Sequence, residues 1–245
     1  MGSEFEQLIN STKQSMRTGE VDINSIVLQG AGKAFCAGGD LTWLRSLANN
    51  SVEQNVDVMR AFYQSFLCLR SVPVPIVVAV HGPAIGAGAA LMTACDVRVA
   101  ASDARIGFNF VKIGIHAGMG ASHFLPSVIG QSAASRILLT GDELTGEDGY
   151  RIGLISDLVV ADQASVKAHA YDIACRIARQ GTVAVRSMTQ SLRASQEAGL
   201  EVALMREAHA QAMCYARTSD WYEGLDSIIE RREPVYSSFH DNARE

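Results

Sequence analysis

Apolar residues along this chain recur with two different spacings, and the spacing changes with position. Phe5, Leu8, Ile9 and Met16 share one helical face, which predicts a helix over roughly residues 4–17. The run Ile26-Val27-Leu28 is short, apolar and β-branched and ends near Gly30, the pattern of a buried strand. Residues 30–40, GAGKAFCAGGD, form a glycine-dense loop. A second helix is predicted over about residues 53–70, with Met59, Tyr63, Phe66 and Arg70 on one face. Ile76 to Val80 reads as a second buried strand, 86–94 as a helix of small residues that can pack closely, and 97–100 as a third strand. Residues 106–120 return to a glycine-rich loop. Helical patterns follow near 131–140 and 147–152, then a strand near 155–160.

Beyond Gln163 the pattern is helical throughout, over about 163–180, 183–197, 200–216 and 219–231. Strands alternating with helices, followed by helices alone, predict an α/β core over 1–161 and a C-terminal helical region over 162–245. No linker-like composition marks the boundary. Leu200, Ala203, Leu204 and Met213 give the helical region apolar faces that a second copy of the chain is expected to cover.

Composition narrows the picture. The 245 residues include 48% apolar and 19% charged residues, enough to build a sizeable core and too apolar for wholesale disorder. The formal net charge is −5, so no basic surplus exists for a phosphate backbone and a nucleic-acid role is disfavoured. The five cysteines are odd in number and none stands in a C-x-x-C pair, which fits free thiols in a reducing compartment. No structural zinc spacing occurs. The N-terminus lacks the apolar region of a secretory signal, so a cytoplasmic or mitochondrial-matrix location is expected. Residues 72–95 carry no Asp, Glu, Lys or Arg, but Pro73, Pro75, Gly82, Pro83, Gly86 and Gly88 interrupt them. They predict strand, turn and buried helix, with no membrane span.

Several glycine motifs can be tested against known chemistry. Gly86-Ala87-Gly88-Ala89-Ala90-Leu91 begins like a dinucleotide loop, but Leu91 fills the third glycine place. Gly30-Ala31-Gly32-Lys33-Ala34-Phe35 fails the same test, and Ala34 stands where a phosphate loop needs Ser or Thr. Gly120-Ala121-Ser122 is followed by His123 and Phe124, so no nucleophile elbow forms. What remains are glycine loops that follow strands and aim unpaired backbone N–H groups at a helix start, where they can meet a phosphate or an oxyanion.

Five segments in order carry a resemblance: KAFCAGGDL at 33–41, PIVVAVHGPAIGAGAALMTACDVRVAASDARIG at 75–107, GIHAGMGASHFLPSVIG at 114–130, LLTGDELTGEDGYRIGLISDLV at 138–159 and DWYEGLDSIIERREPVY at 220–236. Together they resemble the enoyl-CoA hydratase/isomerase (crotonase) superfamily across most of the chain. The resemblance implies an α/β crotonase-like spiral of ββα units with a C-terminal helical oligomerisation region, and assembly as a homotrimer or hexamer. It implies an acyl-CoA thioester as substrate, with no separate cofactor and no metal. It places an oxyanion hole on the backbone N–H groups of Gly39 and Ala87, flanked by Ala37, Gly38, Asp40 and Gly86. Fixed N–H dipoles suit the charge that develops on a thioester enolate oxygen, and Gly39 tolerates unusual backbone angles. Asp40 is expected to cap the helix that follows it.

The resemblance also marks departures. The hydratase glutamates of the family fall on Ala90 and Phe110, and a second acid site falls on Gly118, so all three carboxylate places are empty. Efficient hydration by the usual route is therefore not expected, since general acid–base help is worth about 10²–10⁴ in rate per group. His116, on the third loop, is the replacement proton carrier this reading favours, because its ordinary pKa suits transfer near neutral pH. Tyr63 occupies a helix position where one branch has a working histidine, although its apolar stripe also fits plain core packing. Asn109 is expected to point away from the site in an extended segment. Trp43, Phe62, Phe66 and Phe110 fit either an apolar pocket or ordinary core. The resemblance also implies an N-terminal strand hairpin, with an R-P-x-x-x-N segment that helps hold the CoA nucleotide, and this sequence is expected to begin after it, at the helix near Met1. Two functions remain open: an enzyme that isomerises, decarboxylates or hydrolyses an acyl-CoA, and a non-catalytic acyl-CoA-binding or assembly subunit.

Overall fold

A computed structural model describes residues 1–160, 162–217 and 220–236. Helix α1 (Gly2–Thr18) leads to strand β1 (Ile26–Gln29). Helices α2 (Leu41–Ser46) and α3 (Val52–Leu67) follow. Strand β2 (Ile76–Val80) is buried at every position, and β3 (Ala84–Ile85) leads directly to helix α4 (Ala87–Thr93). Strands β4 (Val97–Ala101) and β5 (Arg105–Gly107) precede a 3-10 turn at Asn109–Ile113. Then come α5 (Ala121–Ile129), α6 (Gln131–Thr140), β6 (Glu143–Thr145), α7 (Gly146–Arg151) and β7 (Asp157–Val159). Four helices close the described chain: α8 (Gln163–Ala178), α9 (Thr182–Glu197), α10 (Leu200–Arg217) and α11 (Asp220–Glu230).

Strands β1, β2, β4 and β7 form one parallel sheet in that order. A second, smaller sheet joins β3, β5 and β6, and a bridge between Cys36 and Ala84 extends it by one more segment. Each turn of the chain thus lays a strand in the first sheet, a short strand or bridge in the second, and then a helix. This is the ββα spiral. Its cause lies in the breakers: Gly82 and Pro83 end β2 after five buried residues and turn the chain into the second sheet. The β1 residues Ile26, Val27 and Leu28 are half-buried, not buried as their composition predicts, because β1 is the edge of its sheet.

The glycine-rich stretch 106–120 holds more structure than expected, namely part of β5 and the 3-10 turn. Two- and three-residue strands such as β3 and β6 are too short for a periodic signal. The predicted boundary at residue 161 lies outside the described residues. Just beyond it, α8 buries Val166, Ala170 and Ala174, one helical face, across β1, β2 and β4. Ala203 and Leu204 are buried within this chain, and Leu200 and Met213 are half-buried. The exposed apolar side chains of α9 and α10 are instead Val183, Met188, Leu192, Val202 and Met205. No helix among the described residues is long and apolar enough to cross a membrane.

Candidate active site

Two loops are tied together before either reaches the cavity. Cys36 N–H donates to Pro83 O at 3.1 Å, and Ile85 N–H donates to Cys36 O at 2.9 Å. Gly86 N–H then donates to Gly107 O of β5 at 2.8 Å. His81 Nε2 lies 3.0 Å from Gly32 O and ties the start of the first loop to the end of β2. Gly38 and Gly86 hold φ angles of +97° and +54°, a region in which a Cβ is strained. The left-handed residue of the first loop is therefore Gly38 and not Gly39. At Gly39 the constraint is space, since a Cβ there would stand 3.2 Å from Leu44 Cδ1.

This bracing leaves Gly39 and Ala87 with backbone N–H groups that find no acceptor among the described residues. Ala87 is the first residue of α4, where no intrahelical partner exists. Asp40 accepts from Trp43 N–H at 2.7 Å and caps α2, as its type predicts.

Both residues border a cavity with two lobes. The larger lobe encloses about 610 Å³ and is lined by Ala37, Gly38, Gly39, Asp40, Tyr63, Gly86, Ala87, Phe110 and Gly118, among others. The smaller, about 420 Å³, runs past Cys36, Phe66, Leu91 and Met1. Gly38, Gly39, Trp43, Phe62 and Ala87 line both, so the two free N–H groups stand at the waist between the lobes. Every proposed loop residue reaches the cavity except His116. Its Nδ1 lies 2.6 Å from Ala117 O, and its imidazole is not part of the cavity wall. The sequence expectation of a proton carrier there finds no support in this geometry. Only its backbone joins the site, through Gln211.

Gln211 and several other lining residues escaped the sequence reading. Gln211 Nε2 donates to His116 O at 2.7 Å, and its Oε1 accepts from Tyr63 Oη at 2.7 Å. Gly118 makes room for this pair: a Cβ there would stand 2.6 Å from Tyr63 Oη and 2.9 Å from Gln211 Nε2. Tyr215 and Ile228, from α10 and α11, also face the larger lobe. Arg105 and Glu143 line it too and form a bidentate ion pair, with the nearest contact at 2.7 Å. Asn109 lines the cavity as well, contrary to the extended-chain expectation, because residues 109–113 coil into a 3-10 turn. The missed residues lie far away in sequence on amphipathic helices or in very short strands. The spacing of Gln211 and Tyr215, four apart, was the available signal.

Burial dominates the electrostatics. It pushes the Tyr63 and Tyr215 hydroxyls up, so both stay protonated near neutral pH and neither serves as a base there. Glu207, one turn before Gln211, is fully buried, and burial raises its carboxyl pKa against the opposing pull of its hydrogen bonds. Those bonds come from Gly120 N–H at 2.7 Å, Ser122 N–H at 2.8 Å and Ser122 Oγ at 2.6 Å. Glu207 therefore anchors the third loop to α10.

Comparison with known proteins gives this geometry a context. The sequence family described as Enoyl-CoA hydratase/isomerase matches residues 5–239. A 2,3-dehydroadipyl-CoA hydratase of Escherichia coli (strain K12) is 31% identical over 230 residues, covering 94% of this chain and 86% of the relative. A crotonyl-CoA hydratase of Syntrophomonas wolfei is 30% identical over 218 residues, covering 88% of this chain and 81% of the relative. The solved structure of an enoyl-CoA hydratase from Bacillus halodurans superposes with a TM-score of 0.74 at 25% identity, covering 91% of this chain and 89% of that one.

Proposed function

Because the chain belongs to the enoyl-CoA hydratase/isomerase family, we propose that it binds an acyl-CoA thioester and transforms it through an enolate held by Gly39 and Ala87. The observation that carries this reading is the pair of unpaired N–H groups at the waist of the cavity. A thioester carbonyl placed there gains charge as the enolate forms, and donors fixed beforehand need no reorganisation to meet it. The surrounding wall, with Leu44, Met59, Phe62, Phe110 and Met119, is apolar and strengthens those hydrogen bonds by excluding water.

The reaction we propose is of the lyase or isomerase type, run without a carboxylate-activated water. Ala90 is fully buried and Phe110 nearly so, and neither can carry a proton. The carboxylates that do line the cavity are engaged, Asp40 with Trp43 N–H and Glu143 with Arg105. Crotonyl-CoA hydration is therefore expected to run far below the median enzyme rate of about 10 s⁻¹, as measured by loss of enoyl absorbance. A rate near that median would contradict the reading. Turnover of a panel of acyl-CoA thioesters, followed by mass spectrometry, tests the enzymatic reading itself. The empty carboxylate positions also favour a second reading, a non-catalytic acyl-CoA-binding subunit, which predicts binding without turnover of any member.

The proposal includes assembly into a trimer or a dimer of trimers. Val183, Met188 and Leu192 on α9 and Val202 and Met205 on α10 offer apolar surface for another copy. Light scattering at micromolar concentration is expected to give three or six times the chain mass; a monomer would contradict it.

A further inference from the structure

Three cations gather on one concavity away from the two-lobed cavity, and the protein does not neutralise them. The concavity encloses about 350 Å³ and is lined by Lys13, Met16, Arg17, Ser71, Pro73 and Arg186. It forms where the last turns of α1, the segment between α3 and β2, and α9 come together. Gly2, at the opposite end of α1, borders the smaller lobe. Lys13 stands three turns further on, about 16 Å along the helix. No residue of the concavity borders either lobe.

Local pairing does not account for the cluster. Lys13 and Arg17 are four apart on α1, where like charges repel. Neither forms an ion pair or a hydrogen bond among the described residues. The negative end of the helix dipole suits Arg17, in the last turn of α1, but leaves Lys13 and Arg186 unexplained. Arg186 is half-buried on α9. One terminal nitrogen donates to Ile23 O at 3.2 Å and lies 3.8 Å from Asp22 Oδ1. The Asp22 side chain is 80% exposed, and so long a pair in water neutralises little. The other terminal nitrogen, Nη1, has no acceptor among the described residues. Ser71 Oγ donates to Cys68 O at 2.6 Å, so the donors left for a visitor are the three cationic groups. This surplus stands on a chain whose net charge is −5.

We propose that this concavity binds a phosphate-bearing anion. Two guanidinium groups offer planar N–H edges that match tetrahedral oxyanions, and the ammonium adds a point charge. A carboxylate carries a single charge and leaves two of the cations unmatched, whereas a phosphate monoester carries nearly two. Met16 and Pro73 make part of the wall apolar, which strengthens the pairing. A soluble phosphate ester and a lipid headgroup share this chemistry, and the experiment separates them. The site is independent of the thioester reading and stands or falls without it.

Inorganic pyrophosphate is titrated calorimetrically into the whole chain at pH 7 and low ionic strength. One anion per chain is expected to bind, more weakly as sodium chloride is added. The double variant Lys13→Gln/Arg17→Gln and, separately, Arg186→Gln should each weaken binding by about tenfold or more, since each removes charge-assisted donors. Arg206→Gln, which removes an exposed cation on α10 outside the cluster, should leave it unchanged. Because Lys13 and Arg17 have no hydrogen-bond partner to lose, the double variant should keep the wild-type melting temperature. Pyrophosphate should then raise that temperature in the wild type only. Sedimentation with vesicles of equimolar phosphatidylcholine and phosphatidic acid identifies the source. Capture that the double variant loses supports the proposal with a lipid headgroup as ligand; pyrophosphate binding without capture supports it with a soluble phosphate. Absence of both, or equal pyrophosphate affinity in the wild type and both variants, overturns the proposal.

Discussion

Ala87→Pro is expected to lower turnover of whichever acyl-CoA the protein accepts by roughly 10²–10³-fold, the cost of one lost oxyanion donor. The substitution is chosen because the fold should tolerate it. Ala87 opens α4, and proline is favoured at the first position of a helix, where its missing N–H has no intrahelical partner to lose. Circular dichroism and an unchanged melting temperature confirm the fold, and steady-state kinetics read the effect. The fall should appear in kcat more than in ligand affinity, because the donor matters most when the carbonyl oxygen carries charge. Undiminished turnover in a folded variant would take Ala87 out of the chemistry.

The largest effect on stability is expected at Arg193, on α9. Its guanidinium is 4% exposed and reaches across to the segment before β2. Nε donates to Asp96 Oδ1 at 2.8 Å, and a terminal nitrogen donates to Asp96 Oδ2 at 2.5 Å. The same group also donates to the carbonyls of Arg70, Val72 and Val74, at 2.9, 2.8 and 3.1 Å. Asp96 in turn accepts from Ile76 N–H at 2.8 Å. Arg193→Ala leaves a half-buried carboxylate and three carbonyls without their donor. Removing one partner of such a pair costs about 3–5 kcal/mol, which should show as a lower midpoint in urea unfolding. A change under 1 kcal/mol would mean that the cluster is hydrated and contributes little, as exposed pairs do.

Arg193 also shows where sequence reading stops. In LRASQEAG it looks like one more polar residue of a surface helix, and nothing local announces acceptors on four residues of two distant segments. The four C-terminal helices, β2, α4 and the Asp40 cap were legible, because each depends on its own spacing or on a neighbour three residues away. The two glycine loops that border the cavity were legible as glycine pattern and order along the chain. Gln211 and Tyr215 were not, since their meaning depends on α10 crossing α3, a contact between residues 148 apart in the case of Tyr63 and Gln211. His116 illustrates the reverse. Its residue type and loop position fit proton transfer, but the loop turns its ring toward Ala117 O and presents only its carbonyl to Gln211. Asn109 faces the cavity because residues 109–113 coil, where an extended segment would turn its side chain away.

The central claim is that Gly39 and Ala87 N–H groups grip a thioester carbonyl, and vibrational spectroscopy reads that grip directly. Butyryl-CoA labelled with carbon-13 at the thioester carbonyl can be followed by Raman difference spectroscopy, free and bound. Two converging donors should shift the C=O stretch to lower frequency on binding, and Ala87→Pro should remove much of that shift while the ligand stays bound. A bound thioester whose carbonyl frequency matches that in water, or shifts equally in wild type and Ala87→Pro, would contradict the account.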